Sequence, residues 1–186
     1  MGTGIQICGL NGCGKSTIGR MLADRLDFHF IDNENLYFAR SGPNEPYARS
    51  RSREEAEHLL LDEVRCHEDF VFAAVRGDYG EAVIPLYDYV VLVEVPKAIR
   101  MERVRSRSHQ KFGSRMLPGG DLHEPEEAFF RVVAARAEDY AASWLSMVGC
   151  PVLRIDGTRP VEESVALIVA WMEGRGKETN HPDLQA

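Results

Sequence analysis

The chain has 186 residues, of which 44% are hydrophobic and 27% charged, and its formal net charge is −7 at pH 7. This length and composition fit one globular domain with a substantial core and argue against wholesale disorder. The acidic balance gives no electrostatic support to general nucleic-acid binding, although a local basic cluster could still bind a small anion.

The cysteines and the apolar runs bear on the compartment. The four cysteines form no CxxC pair, which favours a reduced protein over a disulfide framework. No apolar run reaches the ~20 residues that span a bilayer, and no signal-peptide pattern opens the chain. We therefore expect a cytoplasmic protein, a monomer or homodimer, with neither membrane nor nucleic acid as a partner.

Apolar strands alternate with amphipathic helices along the chain. The predicted strands cover residues 4–9, 28–32, 69–77, 87–96 and 151–156. The predicted helices cover residues 15–27, 53–65, 97–107, about 126–147 and 159–174. This alternation is typical of a parallel sheet covered on both faces. We predict one domain over 1–174, with a polar, glycine-rich lid at about 108–125 and a flexible tail at 175–186.

The stretch GLNGCGKST follows the first strand and fits the pattern G-x-x-x-x-G-K-[ST] from Gly9 to Ser16. Glycine lets the backbone curl so that successive N–H groups point at one anion, and the next helix adds its positive N-terminal end. The Lys15 ammonium can reach the outer phosphates, and the Ser16 hydroxyl can complete a magnesium shell. The predicted phosphate site comprises Gly9, Asn11, Gly12, Cys13, Gly14, Lys15, Ser16 and Thr17.

Two common classes of protein with this loop lack support in the sequence. A GTPase switch would normally carry an N/T-K-x-D element, and none is found. A motor or AAA-type ATPase would normally end a hydrophobic run in paired acidic residues, whereas VVLVEVP has the single Glu94 inside the strand. The chain is also short for the AAA architecture with its lid domain.

From residue 5 to 172 the chain resembles the small P-loop kinases, the nucleoside monophosphate kinase and shikimate kinase group. Besides the glycine loop, VVLVEVPKAIRMERVRSR is similar to the strand and helix that lead into the lid of adenylate kinase-like enzymes. RAEDY resembles the R-x-x-x-Y that follows the lid, and IDGTRPVEES resembles the DGT-x-P loop that packs on adenine.

The resemblance implies a three-layer α/β/α fold with a five-stranded parallel sheet in the order 2-3-1-4-5 and a helical lid. It also implies ATP and Mg²⁺ as cofactors and a small-molecule phosphoacceptor as substrate. On the same grounds, the loop Thr158, Arg159 and Pro160 is expected to contact the nucleotide.

Arginines flank the predicted lid. Arg103 and Arg107 are four residues apart and share a helix face directed toward it, and Arg136 lies on the helix that returns from it. Phosphoryl transfer needs cations that neutralise the moving group, so Arg107 and Arg136 are the first catalytic candidates and Arg103 a nucleotide-binding one. A solvated, salt-bridged surface is the alternative for each. The lid lacks the usual GRR-x-D, which puts a nucleoside monophosphate acceptor in doubt.

Two carboxylates, Asp32 and Glu34, end the second predicted strand, at the edge where open parallel sheets bind ligands. They resemble the D-x-D of shikimate kinase-like enzymes, which implies that Asp32 supports magnesium and Glu34 contacts an acceptor hydroxyl. A hydroxyl acceptor benefits from a carboxylate that takes its proton. The alternative is that Asp32 only caps the following helix.

The acceptor site is predicted around RGDYG, where Arg76 could bind an anion and Asp78 could lie near magnesium, unless the stretch is a plain turn. Arg40 lies where monophosphate kinases keep an acceptor arginine. Arg49, Arg51 and Arg53 could grip a phosphate or carboxylate, or belong to a solvated loop. The six histidines show no metal spacing and are interpreted as ordinary core or surface residues.

Together these features predict an ATP- and magnesium-dependent kinase. A nucleotide-like acceptor is slightly favoured by the arginine-rich acceptor side, and a hydroxyl metabolite is the alternative because of Asp32 and Glu34. The alternative from another functional class is a regulatory module that binds ATP but has no acceptor to phosphorylate. The acceptor, the preference for ATP over GTP and the oligomeric state are left open.

Overall fold

The computed structural model describes residues 2–38 and 50–178. Its strands are β1 (Gly4–Cys8), β2 (His29–Asp32), β3 (Phe70–Ala74), β4 (Tyr89–Glu94) and β5 (Val152–Asp156). Its helices are α1 (Lys15–Leu26), α2 (Asn33–Tyr37), α3 (Arg53–Cys66), α4 (Lys97–Phe112), α5 (His123–Ala135) and α6 (Val161–Glu178). Arg40, Arg49 and the last eight residues of the predicted tail lie outside the described residues.

The five strands form one parallel sheet in the order β2-β3-β1-β4-β5, which confirms the predicted order. β1 lies in the middle and pairs with β3 on one side and β4 on the other. Because all strands run the same way, their carboxyl ends meet at one edge of the sheet. The loop that leaves β1 therefore emerges between the ends of β3 and β4, which is where such sheets bind ligands.

Helices cover both faces of the sheet. Ile5 and Ile7 of β1 are fully buried in a core that includes residues of α1 and α6. The opposite face packs against α3 and against Trp144, whose side chain is also fully buried. α4 and α5 form a helical hairpin with a small apolar cluster of its own. The segment predicted as the lid, at about 108–125, forms the tip of this hairpin.

The start of α3 confirms the capping box that the sequence predicts. The Ser52 hydroxyl accepts a hydrogen bond from the Glu55 amide at 3.1 Å, and the Glu55 carboxylate accepts one from the Ser52 amide at 2.7 Å. Two amides that the helix itself leaves without partners are thereby satisfied. The acidic residues of the first turn also suit the positive end of the helix dipole.

The long helix predicted over about 126–147 is wrong. α5 ends at Ala135, and Arg136 has extended backbone with φ −64° and ψ 133°. Turns follow, so that Ala141 and Trp144 reach the sheet core and become buried. Burial of this large indole in the sheet core outweighs the helix propensity of the intervening residues, although Ala and Glu among them are good helix formers.

The polar loop predicted at about 108–125 is shorter than expected. α4 continues to Phe112, a 3₁₀ turn occupies Gly113–Met116, and α5 begins at His123. Arg115 forms a two-point ion pair with Asp121 at 3.0 and 2.6 Å, which closes the turn between the helices. The tip of the hairpin is therefore tied to itself by a surface pair.

Among the described residues, no helix has both the length and the apolar character that crossing a bilayer requires.

Candidate active site

The glycine loop fills the gap between β1 and α1. Gly12 and Gly14 have φ of +83° and +97°, a region that residues with a Cβ rarely adopt. A Cβ on Gly12 would also lie 2.3 Å from the carbonyl oxygen of Arg100. Gly14 caps α1 without a side-chain hydrogen bond, so no side chain occupies the first amides of the helix. This cradle of backbone N–H groups fits a phosphate.

The predicted phosphate residues beyond the glycines open α1. Lys15 and Ser16 are half-buried, whereas Thr17 is exposed. No ion pair in the described part of the chain involves Lys15. Its ammonium charge is therefore available to an incoming polyphosphate, and the Ser16 hydroxyl is an oxygen ligand of the kind that Mg²⁺ prefers.

Arg103 joins the glycine loop to the DGT loop. Its Nη1 donates to the carbonyl of Gly157 at 3.0 Å and, more weakly, to that of Gly12 at 3.5 Å. Both partners are neutral, so the positive charge of the guanidinium is not cancelled at this point. The structure thus brings together two segments that the sequence separately associates with the nucleotide.

The DGT loop is held by its own aspartate. Asp156 accepts hydrogen bonds from the backbone amide of Thr158 at 2.9 Å and from its hydroxyl at 2.7 Å. These two donors lower the pKa of the Asp156 carboxyl below its ordinary value. Arg159 and Pro160 follow on the exposed side. The loop shape is thereby fixed next to Arg103, although no contact to a base is described.

A chain of cationic and aromatic contacts runs from the glycine loop to Arg76, beyond the end of β3. Arg136 Nη1 donates to the side-chain oxygen of Asn11. The guanidinium of Arg136 lies 5.7 Å from the Tyr140 ring centroid, and that of Arg76 lies 5.1 Å from the same centroid. Tyr140 therefore faces both cations, an arrangement that stabilises each by cation–π attraction.

Arg76 and Asp78 form a two-point pair beyond the end of β3. Nε and Nη2 of Arg76 donate to the two carboxylate oxygens of Asp78 at 3.0 and 2.7 Å. Arg53 of α3 donates to the backbone carbonyl of Asp78 and pairs with Glu57 at 2.8 Å. RGDYG is thus more than a plain turn, since it brings an arginine and a carboxylate into fork geometry.

Asp32 lies at the same edge of the sheet, since it pairs in register with Ala73 of β3. Its Oδ1 accepts a hydrogen bond from the Glu34 amide at 3.0 Å and caps α2, as the alternative interpretation predicts. The cap uses one oxygen and leaves the other for a ligand. Carboxylate and hydroxyl oxygens suit Mg²⁺, so Asp32 and Ser16 fit the predicted metal role. Glu34 is exposed beside them.

The structure does not place every candidate at the site. Arg107 is exposed one turn beyond Arg103 on α4, and it makes no described contact with the glycine loop. Sequence reasoning also missed Arg100, which is 2% exposed, donates to the Val95 carbonyl and holds Glu138 with two hydrogen bonds. The only local signal in the sequence is spacing: Arg100 lies four residues before Val104, on the buried face of α4. Its pairing anchors the segment that carries Tyr140.

A family model described as an AAA domain matches residues 5–116, from β1 to the end of the 3₁₀ turn that follows α4. The sequence lacks the paired acidic residues that AAA-type motor ATPases normally carry after a hydrophobic strand. The family model that matches is nevertheless described as an AAA domain. The matched residues contain the glycine loop and the strands β1 to β4.

Curated relatives include small-molecule kinases. A shikimate kinase from Geobacter metallireducens is 30% identical over 187 residues, covering 92% of each chain. A cytidylate kinase from Stutzerimonas stutzeri is 30% identical over 106 residues, covering 57% of this chain and 42% of that one. The uncharacterized protein YqaC of Bacillus subtilis is 27% identical over 176 residues, covering 90% and 96%.

Solved structures agree on the fold. A gluconokinase from Sinorhizobium meliloti superposes with a TM-score of 0.58 at 14% identity, covering 96% of this chain and 98% of that one. At this identity the likeness shows the three-layer P-loop architecture alone.

Proposed function

Since this chain belongs to the P-loop family described as an AAA domain and to the P-loop small-molecule kinases, we propose that it phosphorylates a small hydroxy acid with ATP. The observation that carries the proposal is the Arg76–Asp78 fork beside the glycine loop. A guanidinium fork matches the two oxygens of a carboxylate. In this proposal, Asp78 holds the place that the acceptor's carboxylate takes when it binds.

The donor side, defined as Lys15, Arg103 and Arg136, binds ATP. In the described structure none of these three cations forms an ion pair with a carboxylate, so together they offer uncompensated charge to a polyphosphate. Bound Mg²⁺ would be held by Ser16 and Asp32 and would neutralise charge on the phosphates. Lys15 stabilises the charge that develops on the transferred group.

The acceptor side, defined as Arg53, Arg76 and Asp78, is less suited to a phosphate. Arg51 donates to the carbonyls of Asn35 and Leu36 at 3.2 and 2.9 Å, so its guanidinium ties the chain to α2. Arg53 is engaged with Glu57 and Asp78. A doubly charged phosphate would call for several arginines, whereas one carboxylate matches the single fork of Arg76 and would enter it in exchange for Asp78. This contrast turns our preference from a nucleotide-like acceptor to a hydroxy acid.

The transfer step follows from the placement of the carboxylates. The acceptor hydroxyl oxygen bonds to the γ-phosphorus while the bond from that phosphorus to the β–γ bridging oxygen breaks, and ADP leaves. Glu34, exposed at the same edge, takes the hydroxyl proton. In this proposal, Arg136 neutralises the moving phosphoryl group, and its hydrogen bond to Asn11 of the glycine loop supports that role.

A nucleoside monophosphate is the second candidate acceptor. The cytidylate kinase relative favours it, and Arg40 is the sequence-predicted arginine that would hold its phosphate. The two candidates differ in which residues they require, because a hydroxy acid depends on Arg76 and a monophosphate depends on Arg40 as well.

A coupled ADP-release assay over three groups of acceptors tests the proposal. The panel contains hydroxy acids, including shikimate and gluconate, then nucleoside monophosphates, then nucleosides. We expect turnover with a hydroxy acid and none with the same acid lacking its hydroxyl. Turnover only with monophosphates would replace our acceptor with the second candidate. ATP binding by calorimetry without turnover of any acceptor would favour a regulatory module.

A further inference from the structure

A cluster of metal-binding side chains lies away from the glycine loop. His29, Glu63 and His67 each offer one ligand atom, and these atoms lie within 4.8 Å of one another. His29 Nε2 is 2.8 Å from a carboxylate oxygen of Glu63. The rings of His29 and His67 stack at 3.7 Å between centroids with 12° between planes. We propose that this cluster binds Zn²⁺.

The backbone holds the three residues together. Glu63 and His67 are one turn apart at the end of α3, where the His67 amide donates to the Glu63 carbonyl at 3.0 Å. His29 opens β2, and its amide donates to the carbonyl of Asp69 at 3.0 Å. The position of each Cα is therefore fixed by a helix end or by a strand pair. Only side-chain rotations separate the observed arrangement from a bound one.

The donor set selects the metal. Two imidazoles and one carboxylate are ligands that Zn²⁺ accepts, usually in tetrahedral geometry with a fourth position for water. With metal–ligand bonds of about 2.0–2.2 Å, tetrahedral donor atoms lie about 3.3 Å apart. The His29–Glu63 pair is already closer than that, so a metal would separate it slightly and draw His67 inward. The hard cations Mg²⁺ and Ca²⁺ favour oxygen ligands and fit the imidazoles poorly.

The site is separate from the proposed kinase chemistry. His29 pairs in register with Phe70, which pairs with Gly4 at the start of β1. The cluster thus lies at the amino edge of the sheet, whereas the glycine loop leaves the carboxyl edge. His29 and Glu63 are partly buried, with 33% and 44% of their side chains exposed, and His67 is exposed. The proposal does not depend on the proposed function.

The test uses the untagged full chain, stripped with a chelator and free of nucleotide. Zn²⁺ is added in competition with a chromophoric chelator, and melting is followed in parallel. We expect one Zn²⁺ per chain and a higher melting temperature, because a ligand that binds the folded state stabilises it. Absence of both effects would overturn the proposal.

Matched variants identify the ligands. His67→Ala should weaken Zn²⁺ binding at least ~10-fold and abolish the rise in melting temperature. His58→Ala, which removes another exposed histidine of α3, should leave both unchanged. If the two variants lose Zn²⁺ equally, or neither does, the assigned cluster is wrong.

Two further variants keep the test decisive. Glu63→Gln preserves size and hydrogen bonding but removes the anionic ligand, and it should also weaken binding at least ~10-fold. Cys66 is an exposed free cysteine beside His67 and could compete as a thiolate ligand. Cys66→Ser should retain full binding, and loss of Zn²⁺ in this variant would contradict the imidazole–carboxylate set.

Discussion

Arginines lie on both the donor side and the acceptor side, but within the described structure only those of the acceptor side are paired with carboxylates. Arg103 and Arg136 donate to neutral partners, the carbonyls of Gly12 and Gly157 and the amide of Asn11. Arg76 and Arg53 are instead engaged with carboxylates. One side of the site therefore presents uncompensated charge, and the other is internally neutralised.

This difference bears on what each side can bind. A polyphosphate gains most from cations whose charge nothing else cancels, because attraction in a partly closed site is screened less than in water. A neutralised fork can bind an anion only by exchange for the carboxylate it already holds. Under the proposed function, the Arg76 fork would recognise the shape of a planar carboxylate, while the cations of the donor side would supply most of the electrostatic attraction.

The largest effect is expected from the donor side. Lys15→Ala removes the ammonium that opens α1 and should lower kcat at least ~10²-fold, as loss of other transition-state charge donors does. Lys97→Ala, which removes an exposed lysine at the start of α4, is the matched control and should change kcat less than ~2-fold. Coupled ADP release measures both. Unchanged turnover in the Lys15 variant would contradict the donor assignment.

Arg136→Ala tests the link between the glycine loop and the moving phosphoryl group. The variant loses both the cation and its bond to Asn11, so we expect kcat to fall about 10- to 100-fold. Arg131 is exposed on α5, and Arg131→Ala should stay within ~2-fold of the parent. Steady-state kinetics measures kcat for both variants. An equal fall in kcat would mean that Arg136 has no specific role in phosphoryl transfer.

The glycine loop and the parallel sheet could be predicted because their signals are local, whereas the strand order was expected only from the resemblance to the small P-loop kinases. Spacing within GLNGCGKST dictates the cradle, and strand–helix alternation dictates the parallel sheet. The end of α5 could not be predicted in the same way. Sequence periodicity allows a helix through Trp144, and only the sheet core that buries this indole explains why the chain turns at Arg136.

Partners distant in sequence were harder to predict. Arg76 and Asp78 are near neighbours and were expected at the acceptor side, but the engagement of Arg51 with α2 depends on tertiary contact. The metal cluster is a similar case. His29 and His67 meet because β2 pairs with β3, and the one-turn spacing of Glu63 and His67 was the only local hint.

Arg76→Ala addresses the acceptor side and should produce a smaller, more selective effect. We expect the acceptor KM to rise about 10-fold, since a charged hydrogen-bonded pair with the acceptor is lost, while the KM for ATP stays within ~2-fold. Arg76→Lys should be nearly as defective because an ammonium lacks the fork.

Arg65→Ala, which removes an exposed arginine of α3, is the control for Arg76 and should leave both KM values unchanged. A rise in the KM for ATP alone in the Arg76 variant would move this arginine to the donor side. The assignment of separate donor and acceptor sides would then be wrong.

The smallest effect is expected at the DGT loop next to Arg103, where the neutral hydroxyl of Thr158 helps to hold Asp156. Thr158→Val removes one of the two donors to Asp156 and keeps the backbone one, so the pKa of Asp156 should move up toward its ordinary value. In the parent protein the depressed pKa contributes stability above the pKa of the unfolded chain, and that contribution is lost as pH falls. The variant should therefore lose less stability on acidification.

NMR titration of the Asp156 carboxyl and melting at several pH values measure this change. Because both side chains are exposed, we expect the KM for ATP to change less than ~3-fold. A larger change would mean that the hydroxyl contacts the nucleotide directly as well as shaping the loop. A change in the acceptor KM instead would show that the DGT loop serves the acceptor side, and the donor side and acceptor side would then not be separate.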